Sequence, residues 1–128
     1  MLTTKSVWTA IDRADGLRIL ATRFRGRGLA TSRYDVWMPS LGPSEQLLRR
    51  VQAGRISWAG FTREYKRELV MDGPIDRRSA TIKNHGQKFT LRLIERLAGQ
   101  GTVTLMCHCA EDELQCHRHI LRRVILQS

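Results

Sequence analysis

A chain of 128 residues, 41% hydrophobic and 27% charged, can bury one real core but is too short for two comfortable domains. That composition excludes disorder as the main state, and no apolar run approaches the roughly 20 residues of a membrane helix. A net charge of +10, carried mostly by arginine, points to phosphate-bearing small molecules or nucleic acid as partners, or else to a plain solvated basic surface.

The chain opens Met1-Leu2-Thr3-Thr4-Lys5, without the apolar segment or cleavage site of a secretory signal. Three cysteines cannot complete a disulfide framework, so reduced thiols in a cytoplasmic setting are expected. Residues 6–11 carry strand formers, Asp15-Gly16 signals a turn, and residues 18–22 return as a second strand. Those two strands either pair as a hairpin or lie apart in the sheet. Next comes Arg23-Phe24-Arg25-Gly26-Arg27-Gly28, in which glycines let the backbone curl and three arginines alternate. It fits neither common phosphate-loop pattern, and reads as a hydrated connection or an anion-binding loop. Residues 32–42 form an irregular segment with Tyr34 and Trp37 as aromatic anchors, Trp37 in the core.

Ser44 then caps a helix that runs through Leu47, Leu48 and Val51 and stops at Gly54. Ser57 caps the next, where Trp58, Phe61, Tyr65 and Leu69 recur at helical spacing and share one face. Asp72-Gly73-Pro74 breaks the chain. A third helix is expected over residues 81–98, with Phe89, Leu93, Ile94 and Leu97 inward and Lys83, Lys88, Arg92 and Arg96 on the wet side.

The last segment concentrates the chemistry. All three cysteines and three of the four histidines lie within residues 102–126. Residues 103–107 form a short apolar run, the pattern of a buried strand. Leu114, Ile120, Leu121, Val124 and Ile125 then recur at helical spacing, so the order reads strand, acidic loop, helix. In an open α/β sheet the crevice at a strand's carboxyl end is where ligands bind. Cys107, His108, Cys109, Cys116 and His117 gather there.

Three chemistries follow. Cys107, Cys109 and Cys116 with His108 or His117 supply donors for zinc or an iron–sulfur group, although the spacing departs from the common paired motifs. Alternatively Cys116, near a helix N-terminus and arginines, is an activated thiol with His117 or His108 as its base, opposed by Glu111, Asp112 and Glu113. Finally, buried cysteines pack well without any chemistry.

Several stretches resemble the YeaO-like family of small bacterial proteins. Asp15-Gly16-x-Arg18-Ile19-Leu20 with Arg23 and Arg27-Gly28 is similar to that family's D-G-x-R-V-L-V-D-R-x-W-P-R-G segment. Trp37 with Leu41-Gly42-Pro43-Ser44 and Leu47 resembles its W-x-x-x-L-x-P-S-x-x-L block. Trp58, Phe61, Tyr65 and Glu68-Leu69 resemble its aromatic helix, and Val103-Thr104-Leu105 its V-T-L-L strand. Cys116-His117-Arg118 resembles the C-H-R signature of the wider superfamily, in which a cysteine also ends the preceding strand. Thr22 stands where the family usually has Asp, and Arg25-Gly26 replaces Trp-Pro, a change toward anion binding.

The resemblance implies a compact α/β fold and locates a site without assigning an activity. Together with the residue patterns, it leads us to expect one α/β domain over residues 1–128: a small, mostly parallel, Rossmann-like sheet flanked by helices. A pocket at the end of the last strand would bind a phosphorylated small molecule, nucleotide or nucleic-acid end. Arg23, Arg27 and Arg118 would hold the anion, with Cys107, Cys116 and His117 on the reactive side. The alternatives are a non-catalytic nucleic-acid-binding module and a metal-binding protein using Cys107, Cys109, Cys116 and His108.

Overall fold

The computed structural model describes residues 1–71, 73–74, 83–84 and 87–127. In chain order the main elements are β1 (Leu2–Ser6), β2 (Leu17–Leu20), β3 (Val36–Trp37), α1 (Glu45–Gln52), α2 (Trp58–Val70), β4 (Gly73–Pro74), β5 (Lys83–Asn84), α3 (Lys88–Gln100), β6 (Val103–Cys107) and α4 (His117–Gln127). Four strands form an all-parallel sheet in the order β1-β6-β2-β3, and β4 pairs with β5 in a separate antiparallel ladder. The fold is thus α/β, with helices covering the sheet. No helix among the described residues is long and apolar enough to cross a membrane.

The last strand in sequence is inserted between the first two. Every residue of β6 is buried, as an unbroken apolar strand covered on both faces should be. Its register runs from Leu2 opposite Val103 to Ser6 opposite Cys107 on one side, and from Leu17 opposite Val103 to Leu20 opposite Met106 on the other. So β1 and β2 lie apart, not in a hairpin. The entry to β2 depends on Gly16, whose φ is +62° and where a Cβ would fall 2.0 Å from the Thr102 carbonyl oxygen. That close approach lets the Leu17 amide donate to the same carbonyl (2.9 Å) and the Thr104 hydroxyl donate to the Asp15 backbone carbonyl (2.6 Å).

The first strand sits four residues earlier than its β-formers suggest. It is an edge strand of polar residues, Thr3-Thr4-Lys5, placed by backbone pairing with β6, whereas Trp8 beyond its end is 52% exposed. Trp37 is not a core anchor either. It is 40% exposed on the far edge strand and donates its indole N–H to the Thr22 carbonyl (2.8 Å).

On one face, Ser44 caps α1 by accepting from the Leu47 amide (3.2 Å), while Glu68 of α2 accepts from the Ser44 amide (2.8 Å) and hydroxyl. Trp58, Phe61 and Tyr65 stack along α2, with ring centroids 4.9 and 5.8 Å apart. Phe61, Tyr65 and Leu69 join Leu91 and Ile94 of α3, Leu105 of β6 and Ile120, Leu121 and Ile125 of α4 in one core.

The third helix differs from expectation in start and in face. Lys83–Asn84 is laddered to Gly73–Pro74, so the helix begins at Lys88; Thr81 and Asp72 lie outside the described residues. Leu91 and Ile94 are buried, whereas Phe89 and Leu93 are more than half exposed, Phe89 under the Arg92 guanidinium. Leu114 is likewise outside the last helix and solvent-exposed.

Candidate functional site

Strand β6 ends on Cys107 and α4 begins at His117, so residues 108–116 must turn back over the carboxyl edge of the sheet. Arg118 holds that turn together. One terminal nitrogen donates to the Cys107 sulfur (2.7 Å) and the Cys109 carbonyl (3.5 Å); the other donates to the carbonyls of Ala110 (3.1 Å) and Glu111 (2.9 Å). The side chain is fully buried, and its Nε has no partner among the described residues. Burial alone would lower the Arg118 pKa, but the bond to Cys107 more than offsets this and keeps the guanidinium charged.

Glu111 anchors the turn from the other side, accepting from the Ser6 amide (3.1 Å) and the Thr9 hydroxyl (2.6 Å). Burial would raise its pKa. Those two donors prevail and leave it below the usual carboxylate range.

The turn brings three sulfurs together. Cys107 Sγ and Cys116 Sγ are 2.9 Å apart, and all three cysteine sulfurs lie within 4.8 Å of one another. Cys107 and Cys116 are sealed, while Cys109 is only partly covered. Hydrogen bonds from Cys107 and Cys116 draw Cys109 down to about 2, whereas hydrogen bonding to Cys109 pushes Cys107 up to about 11. Cys116 is pushed up by hydrogen bonds to both neighbours and by burial. With the guanidinium touching Cys107, the three thiols titrate as one coupled group.

His117 stands at the cluster's edge. Its Nε2 faces the Ala21 carbonyl, which can only accept, so Nε2 carries the proton and Nδ1 the lone pair. That lone pair lies 4.0 Å from the Cys116 sulfur, and the ring meets Tyr65 edge-on at 5.8 Å. Burial depresses the His117 pKa below the usual imidazole value, outweighing the Ala21 bond, and keeps the ring neutral. Tyr65, whose hydroxyl donates to the Leu41 carbonyl, has its pKa raised well above the usual phenol value by burial.

A cavity of about 240 Å³ opens beside this cluster, lined by Thr22, Arg23, Phe24, His108, Cys109 and His117 among others. It lies outside the carboxyl ends of β2 and β6, where an open parallel sheet places its ligands. A larger cavity of about 480 Å³ between α2, α3 and α4 has a basic rim and an apolar floor, but contains no sulfur or imidazole. Chemistry, not size, selects the smaller one.

The structure thus gathers Cys107, Cys116, His117 and Arg118, with Arg23 across the cavity. Arg23 donates through Nε to Pro43 (2.9 Å) and through Nη2 to Gly42 (2.9 Å), which fixes its guanidinium at the wall. Arg27 is exposed on its loop and does not line the cavity. Neighbouring Arg25 is bound inward, to the Tyr34 hydroxyl and the Leu29 carbonyl. His108 lies apart from the sulfur cluster, donating to the Phe24 carbonyl (3.3 Å) beside the Trp8 ring. Cys109, expected in the crevice as a metal-ligand candidate, does join Cys107 and Cys116, and it is the one of the three that lines the cavity. The strand stops at Cys107, so Cys109 sits on the turn and lines the opening.

The family model described as the active DUF488-N3 subclade matches residues 2–128. No curated protein and no solved structure matches the chain. The chain therefore belongs to the DUF488-N3 family.

Proposed function

We propose that this member of the DUF488-N3 family binds a phosphorylated small molecule, nucleotide or nucleic-acid end in the crevice beside β2 and β6, with Cys109 as the thiol presented to it. One observation carries this reading: of three clustered sulfurs, only Cys109 opens on a cavity, and a fixed arginine, Arg23, lines the same cavity. Arg118 acts from behind, holding the cysteine turn, and does not meet the ligand. Arg27 reaches the phosphate only from outside the cavity, adding long-range attraction. His117, with its lone pair toward Cys116, is the group placed to accept a proton if the thiols react. A subclade described as active, and the likeness of Cys116-His117-Arg118 to the C-H-R signature of the wider superfamily, support a working site over a silent scaffold. Free thiols fit a reducing, cytoplasmic setting.

Calorimetric titration of adenosine 5′-monophosphate, a dinucleotide and inorganic phosphate tests the proposal. Arg23→Gln should weaken the best ligand by about 10-fold or more, the worth of a charged hydrogen bond. Equal affinity of Arg23→Gln, Cys109→Ala and the parent chain would remove it.

A second reading, binding of a nucleic-acid strand on the surface without chemistry, has one observation in its favour. Trp8 and Phe24 are 52% and 53% exposed at the same sheet edge, available for base stacking beside the arginine loop. Such binding should fall steeply with salt and be indifferent to Cys109→Ala.

A further inference from the structure

We infer that the Cys107, Cys109 and Cys116 sulfurs form a three-thiolate site for a zinc-class divalent cation, with its fourth coordination position open to the cavity beside Cys109. Two sulfurs on a tetrahedral zinc with bonds of about 2.3 Å stand roughly 3.8 Å apart. The three here range from 2.9 Å to at most 4.8 Å, so sub-ångström side-chain adjustments close them on one ion. The fold brings them together, because Cys107 ends the strand, Cys116 directly precedes α4, and Arg118 fixes the turn between them.

Charge supplies the second, independent argument. Arg118 is fully buried, yet among the described residues none of its hydrogen bonds goes to a carboxylate; its acceptors are sulfur and backbone carbonyl. A buried guanidinium needs a compensating anion. Three thiolates around a divalent ion carry one net negative charge, and the N–H···S bond from Arg118 to Cys107 is the outer-shell contact that steadies such a ligand. The two charges cancel within one closed unit.

The open position follows from exposure. Cys107 and Cys116 are sealed, so an ion on them can meet a further ligand only on the side of Cys109, where the cavity lies. Water or a donor atom of the proposed ligand would sit there, an arrangement of three protein ligands plus one exchangeable partner. His108, bound to Phe24, is not part of the set. This inference rests on the proposed ligand only for what fills the fourth position; the ion site stands or falls by itself.

The test is titration of the fully reduced, chelator-washed protein with Co²⁺ and then Zn²⁺, without nucleotide. One cobalt per chain is expected, with an intense sulfur-to-cobalt charge-transfer band that zinc abolishes. Arg118→Lys should weaken cobalt binding by about 10- to 100-fold. Cys109→Ser, at a partly exposed position where folding is least disturbed, should weaken it further and reduce the charge-transfer intensity. A reduced parent chain with three titratable thiols and no charge-transfer band overturns the inference, as does an unaltered band in Cys109→Ser. Nucleotide binding by the same metal-free sample separates the two proposals: retained without cobalt binding, only the metal site falls; absent with cobalt binding, only the ligand reading falls.

Discussion

The face of α2 bearing Phe61, Tyr65 and Leu69 and the corner bearing Cys107, Cys116 and Arg118 are equally dry, each side chain 2% exposed or less. They reach that state by different physics. On α2 the burial is itself the driving force, about 1.5–3 kcal/mol for each large apolar side chain. At the corner, burying a guanidinium costs several kcal/mol, and the sulfur and carbonyl acceptors of its two terminal nitrogens offset only part of that cost, since Nε has no partner among the described residues. Hydrocarbon packing would hold β6 against α4 at lower cost. A cation buried against the sulfurs of Cys107 and Cys116 is an expensive arrangement that stability alone does not require, and it is one reason we propose the corner as the site.

The contrast can be broken most forcefully by size-matched substitutions. Arg118→Met should cost about 3–5 kcal/mol in urea unfolding, since it leaves the Cys107 sulfur and three loop carbonyls without their donor. Phe61→Leu, on the apolar face, should cost about 1 kcal/mol. Comparable losses would erase the distinction.

Next in size is Asp15, which accepts from Lys5 at 2.8 and 3.0 Å and from the Asp12 amide at 2.9 Å. Asp15→Asn should cost about 2 kcal/mol. Burial raises the Asp15 pKa, but the Lys5 and Asp12 bonds prevail and hold it below 3.8. A depressed carboxylate contributes stability that is fully present above its unfolded pKa and is lost as pH falls through the folded value. Parent and Asp15→Asn melting temperatures should therefore converge as pH drops from about 4 downward.

Tyr65→Phe sharpens the comparison at the boundary of the two regions. It leaves the Leu41 carbonyl without its donor and should cost about 1–2 kcal/mol, while leaving the edge contact with His117 in place. Arg49→Ala, which removes an exposed pair with Glu45, should change stability by about 0.5 kcal/mol or less.

Helical periodicity revealed the aromatic face of α2, because an apolar stripe is a local signal that folding preserves. The strand–turn–helix order of the last segment was legible for the same reason, as was the approach of Cys107 to Cys116 and His117. The depth of Arg118 was not. An arginine beside a helix start reads as surface charge, and its burial depends on carbonyls of a turn whose path is set by the whole sheet. That Cys109 is the sulfur lining the cavity was not legible, because it depends on the strand ending two residues before it. The place of β1 at the edge was equally hidden, since its polar residues gain their strand from a partner some 100 positions away.

The most direct measurement is site-resolved alkylation of the reduced, chelator-treated chain with iodoacetamide, read by peptide mass mapping with and without adenosine 5′-monophosphate. Modification confined to Cys109 at early times, and slowed by the nucleotide, is expected if this sulfur alone faces a ligand-binding crevice. Early labelling of Cys107 or Cys116, or labelling of Cys109 at the same rate with nucleotide present, would contradict it.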